Sequence, residues 1–304
     1  MDAKDNPLST PHDTLFRETF SRIETVRSFV ANYVPKKISS QLNLQTLAIQ
    51  KDSFIDKELS EHFSDILYSV KLRGKPAFLY LLFEHKSYID PWTGFQLLRN
   101  MVKIWEQYRK QHKRTKKLPL IVPILIYQGA QQWKAETSIT HLFENVENTR
   151  DYIPEFKTEV YDISHIPDEQ IRGEILLRVN FLIQKYSRTP QLWDKLHEIL
   201  HLLLEFKDKK TKLEYFEILY RYLSTVTDAK NAEQLNQEFI ESAQTGGFTM
   251  PTIAEKWYQD GKTEGKIEAA QKMIELGMSD EQIEKITALG MEKIRELRGE
   301  DKSR

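Results

Sequence analysis

Two acids and a lysine are the residues whose types and spacing could do chemistry. Asp65 opens the apolar run Asp65-Ile66-Leu67-Tyr68-Ser69-Val70, and Glu84, His85 and Lys86 close the run that begins at Phe78. Arg73-Gly74-Lys75-Pro76 between them is turn chemistry, so the two runs read as a β-hairpin. Centring the turn between Gly74 and Lys75 sets Asp65 directly opposite Glu84, and opposed residues share a face with Cα atoms about 4.5–5.5 Å apart. Strand alternation then puts Lys86 on the face of Glu84 and turns His85 away. Two carboxylates this close repel unless something positive lies between them. A hard divalent cation such as Mg²⁺ suits oxygen ligands of this kind. It would lower the pKa of a bound water and stabilise charge on a phosphoryl oxygen, while Lys86 orients or helps deprotonate that water. The chemistry so assembled is hydrolysis of a phosphodiester. Against it stands the ordinary reading of Glu-x-Lys as a solvated strand pair worth about 0–1 kcal/mol. A one-residue bulge would also undo the register on which the argument rests.

The elements that must hold these residues follow from periodicity. Thr14 to Tyr33 has helical spacing through Leu15, Phe16, Phe20, Ile23, Val26, Phe29 and Val30. Leu44 to Phe54 leans towards a strand, and the hairpin follows. Pro91 to His112 reads as a helix with Phe95, Leu98, Val102, Trp105 and Tyr108 as its apolar stripe. Leu118 to Tyr127 is a continuous apolar run, as expected of a strand buried on both faces, and Lys157 to Ile163 is a further strand. That order gives an α/β core with a mixed sheet over residues 10–168. Helices at Glu169–Tyr186, Pro190–Phe206, Lys210–Val226 and Ala232–Thr245 form an extension over residues 169–245. Residues 246–304 are a linker and a small helical tail, with Gly277 as a C-cap and Ser279 with Gln282 as a capping box. The tail suggests a helix-turn-helix or an oligomerisation unit, so a homo-oligomer held by these helices is one expectation.

Composition narrows the class. The chain has 304 residues, 40% hydrophobic and 11% aromatic, enough to build a core, and no cysteine, which excludes disulfides and thiolate metal sites. The polar N-terminal residues carry no signal-peptide core and no apolar run is long enough to span a bilayer, so the expectation is a soluble, cytoplasmic protein without a membrane partner. The formal net charge is only −1, yet Arg109, Lys110, Lys113, Arg114, Lys116 and Lys117 lie within one short stretch. Such a run is most often a solvated helix end; in a phosphodiester enzyme it suits the DNA backbone.

A competing motif is His197-Glu198-Ile199-Leu200-His201, the H-E-x-x-H pattern of a zinc metalloprotease with Glu198 as general base. It specifies three positions only, no G-x-x-H follows, and a third ligand would have to come from a distant acid such as Glu214 or Glu217.

Several motifs together resemble a known family. His12-Asp13-x-x-Phe16, Ser64-Asp65-Ile66-Leu67-Tyr68, Glu84-His85-Lys86-Ser87, Leu118-Pro119-Leu120-Ile121-Val122-Pro123 and Tyr127-Gln128-Gly129 are similar, in this order, to the Rpn family of recombination-promoting nucleases, also described as YhgA-like transposases. The resemblance extends into the tail, through Ala254-Glu255-Lys256-Trp257, Gly261, Gly265 and Leu276-Gly277-Met278-Ser279. It implies a PD-(D/E)XK restriction-endonuclease-like core and a DNA endonuclease dependent on Mg²⁺ (or Mn²⁺) that promotes recombination. Asp65, Glu84 and Lys86 fill the D…E-x-K positions, with the His85 backbone carbonyl as a further metal ligand. Asp13 and Asp162 match recurrent family acids, and His12 belongs to the first motif. Gln128 stands where relatives commonly carry histidine, so no imidazole is expected there, although an amide can still bond substrate or water. Two alternatives remain: a non-catalytic DNA-binding or regulatory protein on the same fold, and a strand-transfer transposase.

Overall fold

Pro76 decides where the hairpin turns. A turn centred between Gly74 and Lys75 needs Pro76 to donate the closing N–H, and proline has none. The computed structural model of the protein describes residues 11–50, 66–85, 89–134, 137–144, 150–247 and 265–298. Its hairpin turns at Arg73-Gly74, both at positive φ (48° and 77°), as a type I′ turn requires. Leu72 pairs with Lys75, Lys71 with Pro76, and the ladder runs on to Ile66 opposite Leu81. This register differs by two residues from the expected one, so the direct opposition of Asp65 and Glu84 loses the pairing it rested on. An even offset leaves unchanged which residues of the two strands share a face. Asp65 and Lys86 themselves lie outside the described residues.

The sheet has five strands side by side in chain order: β1 (Leu42–Ile49), β2 (Ile66–Leu72), β3 (Lys75–His85), β4 (Leu120–Gln128) and β5 (Glu159–Asp162). The first three are antiparallel, whereas β4 runs parallel to β3 and β5 parallel to β4. The β1–β2 register breaks between Asn43 and Ala48. Strand β3 is central and Ala77 to Leu82 are all buried, so its two faces serve two cores.

On one face Ala77, Leu79 and Leu81 pack with Phe16 and Phe20 of α1 (Pro11–Phe20) and with Val26, Phe29 and Val30 of α2 (Ile23–Asn32). The single helix expected over residues 14–33 is thus two. Arg22 is extended (φ −89°, ψ 113°), and the break brings the Phe20 and Phe29 rings edge to face at 5.7 Å. No glycine or proline marks this break, because tertiary packing makes it. The four-residue α3 (Lys36–Ser39) leads into β1.

On the other face Phe78, Tyr80 and Leu82 pack against α4 (Thr93–Gln111), the crossover between parallel strands β3 and β4. Its buried stripe is Leu97, Met101, Ile104 and Tyr108; of the stripe expected from sequence only Tyr108 is fully included, while Phe95 and Val102 face solvent. Both stripes have helical spacing, and close packing chooses between them. Asn100 donates to the Tyr80 hydroxyl at 2.6 Å, and a Cβ on Gly94 would sit 2.4 Å from the Thr137 carbonyl oxygen.

Helices α5 (Ile175–Tyr186), α6 (Leu192–Leu204), α7 (Lys209–Val226) and α8 (Ala232–Thr245) follow. Glu174 caps α5 by accepting from the backbone of Leu176 and Leu177, and Leu177 and Phe181 complete the core of α1 and α2. The result is a mixed sheet flanked by helices and followed by a helical C-terminal part. The chain divides into two units, Met1–Glu238 and Phe239–Arg304, with the division inside α8. Within the second unit, α9 (residues 265–275), α10 (Asp280–Thr287) and α11 (Met291–Arg298) close around Ala270, Ile283, Leu289 and Ile294. Ser279 and Gln282 form the expected capping box, and Arg298 bonds Asp280 at 2.6 Å. Among the described residues no helix is long and apolar enough to cross a membrane.

Gly74 adopts a backbone conformation that costs other L-residues about 1–2 kcal/mol. Gly74→Val is expected to lower the unfolding free energy by about that amount, and Gly74→Asn by less, since asparagine tolerates the left-handed region. Urea midpoints of the three proteins measure this; coincident midpoints would place the turn elsewhere.

Candidate active site

Strands β3, β4 and β5 end together, and their carboxyl ends carry four of the candidate residues, Glu84, His85, Gln128 and Asp162. Glu84 of β3 is in register with Tyr127 of β4, and Tyr127 with Asp162 of β5, so the three positions form one row across parallel strands. The carboxyl ends of parallel strands are where open α/β sheets bind ligands. His85 and Gln128 form the next row.

Alternation gives these rows different surroundings. Tyr127 is fully buried and its ring meets Trp133 at 4.9 Å. Trp133 packs beneath the core of α4, and its backbone N–H donates to Asp162 Oδ2 at 2.8 Å. The Asp162 carboxylate also bonds His165 Nδ1, at 2.9 and 3.0 Å. Gly129 N donates to Ser164 Oγ at 3.1 Å, so the loops after β4 and β5 are stitched together. Asp162 stands two strands from Glu84, a separation of roughly 10 Å at the usual strand spacing. Its described bonds make it a holder of the loop that shapes the site.

Gln128 belongs to the opposite face and to a buried polar network. Its amide donates to the Gln184 backbone carbonyl on α5. The Gln184 side chain bonds His12 Nδ1 on α1 at 3.2 Å, and that nitrogen lies 2.7 Å from the Tyr222 hydroxyl of α7. Tyr222 also donates to Ser187 Oγ at 2.9 Å. His12 and Gln128 are therefore brought together, as 1% and 3% exposed members of a clamp joining three helices to the end of β4. Burial drives the Tyr222 pKa well above the ordinary tyrosine range, with the Ser187 bond and the nearby Arg188 charge pulling the other way. Asp13 sits half-buried in the first turn of α1, where a carboxylate suits the positive helix end. A cavity of about 840 Å³ opens beside His12 and Ser187, walled in part by Arg188, Trp193 and Lys230.

Sequence reasoning missed Tyr222 and Gln184, which look like ordinary residues of amphipathic helices and carry no local signal. Tyr127 was visible as the last residue of the apolar run from Leu118 and as part of Tyr127-Gln128-Gly129. The six basic residues Arg109, Lys110, Lys113, Arg114, Lys116 and Lys117 are all exposed, at the far end of α4 and in the loop before β4. A crossover between parallel strands must return the chain to the start of the sheet, so they stand at the opposite end from Glu84.

For the zinc reading, the His197 and His201 rings are neighbours at 4.4 Å, but the acids proposed as third ligand are engaged elsewhere. Glu214 faces Arg22 and Lys210, and Glu217 bonds Arg221 at 3.2 Å. Glu198 pairs with Lys195 at 3.0 Å, and no group of three potential ligands occurs among the described residues.

Comparison with known proteins adds a family. Residues 10–214 match the model described as "Putative transposase, YhgA-like". The chain is 30% identical over 264 residues to the recombination-promoting nuclease RpnC of Escherichia coli K12, covering 84% of this chain and 83% of the relative. It is 27% identical over 288 residues to RpnA of the same strain, a recombination-promoting nuclease, covering 94% and 96%. It is also 28% identical over 286 residues to RpnE, named an inactive recombination-promoting nuclease-like protein, covering 91% and 94%. No solved structure matches the chain.

Tyr222→Phe strips the hydroxyl from His12 and Ser187 and is expected to cost about 1–3 kcal/mol at neutral pH. The folded state holds the Tyr222 proton more tightly than the unfolded chain does. That contribution is complete below the ordinary tyrosine pKa of about 10 and is lost as pH rises towards the folded value. Urea unfolding should therefore show the gap between wild type and Tyr222→Phe narrowing above about pH 10. A gap that is absent at pH 7, or that widens with alkali, would contradict the clamp.

Proposed function

Because the chain belongs to the YhgA-like transposase family, whose relatives include recombination-promoting nucleases, we propose that it is a metal-dependent DNA endonuclease that promotes recombination. The observation that supports the reading is the backbone row of Glu84, Tyr127 and Asp162 at the carboxyl ends of three parallel strands, with Glu84 opening the sequence Glu84-His85-Lys86 that resembles the family's motif. The donor set fits a hard cation. Asp65, Glu84 and the His85 carbonyl are all oxygen donors, and the chain has no thiolate to favour a softer metal. These residues would hold one or two Mg²⁺ or Mn²⁺ ions. When bound, such an ion supplies a more acidic water and charge stabilisation at the phosphoryl oxygen. Lys86 positions the attacking water and offsets the negative charge that develops on the phosphate. The Trp133–Asp162–His165 stitching keeps the neighbouring loops in place while DNA binds.

A second reading has a specific observation behind it: the relatives include RpnE, which is named inactive. In that reading the chain binds DNA without cutting it. Plasmid nicking in Mg²⁺ against EDTA separates the two. The nuclease reading expects divalent-dependent nicking that Asp65→Ala and Glu84→Ala each abolish, with urea midpoints unchanged. Full activity in either variant would refute the assignment, DNA binding without nicking would favour the second reading, and products joined to target DNA would favour strand transfer.

A further inference from the structure

The basic residues at the far end of α4 are more than its helix end requires. The stretch from Arg109 to Lys117 contains six lysines and arginines and no acid, in a chain whose formal net charge is −1. All six are exposed, and among the described residues none of them is paired with a carboxylate. The last two helical positions before the end of α4 belong to this group only in part: Arg109 and Lys110 lie in its final turn, where they also suit the negative helix end. That turn can use one or two cations; the loop that follows adds four more, which helix electrostatics does not require. Unneutralised positive charge at this density is a surface for an anionic polymer.

Geometry says how far that surface is from the chemistry. Helix α4 has 19 residues, so its ends are about 28 Å apart at 1.5 Å per residue. The strands give a similar measure: from the Ala77–Leu120 pair to the Glu84–Tyr127 pair is seven residues, about 23 Å. At about 3.4 Å per base-pair step, the span corresponds to roughly seven or eight base pairs. The outer side of α4 is open to solvent along this length, with Phe95 and Val102 exposed, and Glu106 is the helix's only acid.

Resting on the nuclease reading, we infer that α4 is a ruler: duplex DNA lies along it, cut at the Glu84 end and gripped about seven or eight base pairs away by the cluster from Arg109 to Lys117. The grip supplies affinity and a minimum substrate length, and it takes no part in the bond-breaking step.

The test uses the full chain and a variant with Lys113, Arg114, Lys116 and Lys117 changed to Gln, its urea midpoint first matched to wild type. Binding is read by fluorescence anisotropy in EDTA, and cutting in Mg²⁺, on duplexes from about 6 to about 30 base pairs. Wild-type affinity should rise at least tenfold between about 6 and 16 base pairs and then level off. The variant should lose that rise, bind the shortest duplexes as wild type does, and show a log–log salt dependence shallower by about 0.9 per phosphate contact removed. The inference falls if affinity does not depend on length, if the variant keeps the rise, or if it loses affinity equally on short and long duplexes. It also falls if the cluster binds anionic phosphatidylserine vesicles while leaving DNA affinity unchanged. The two readings fail separately. A length-dependent grip without any cutting sinks the nuclease assignment and with it the cut at the Glu84 end, leaving the grip, whereas cutting with no length dependence sinks the ruler alone.

Discussion

Strand β3 is buried on both faces for six consecutive residues, and this constraint organises the rest of the protein. Alternate side chains belong to different cores, one shared with α1, α2 and α5 and the other with α4. A slip of one residue would exchange the two sets, pushing Phe78, Tyr80 and Leu82 into space shaped for Ala77, Leu79 and Leu81. The register of β3 against β4 is therefore fixed by bulk before any polar residue is considered. The row from Glu84 through Tyr127 to Asp162 is a consequence of that packing.

The polar clamp on the other face works in the same direction. His12, Gln184, Gln128 and Tyr222 come from α1, α5, β4 and α7, and each bond ties a distant part of the chain to the end of β4. Buried polar networks are costly when incomplete, so this one rewards a single arrangement of three helices around the strand end. The Asp162–Trp133–His165 group does the equivalent for the loops on the first face. The carboxyl edge of the sheet is thus braced from both sides by groups that need not touch a substrate.

Much of this was legible in the sequence where one period dominates. The continuous apolar run of β4, the α8 boundaries and the Ser279 capping box all carry local chemistry that admits one reading. The hairpin register was recoverable too, since Pro76 cannot close a turn centred after Gly74, but the turn residues alone allowed two centres. The break between α1 and α2 and the buried face of α4 were not legible. No breaker stands at Ser21-Arg22, and α4 carries two apolar stripes of equal spacing, so only the opposing surface could choose. The family motif order, by contrast, spans the core and did not depend on getting any single element right.

The two outermost strands have a consequence for solution behaviour. As described, β5 is four residues long and β1 breaks register midway, so neither margin of the sheet offers a long straight ladder of free amides and carbonyls. A sheet finished in this way discourages a second molecule from extending it strand by strand, which is how unwanted fibres begin. Blunted borders of this kind work against edge-to-edge pairing between copies of the chain at high concentration.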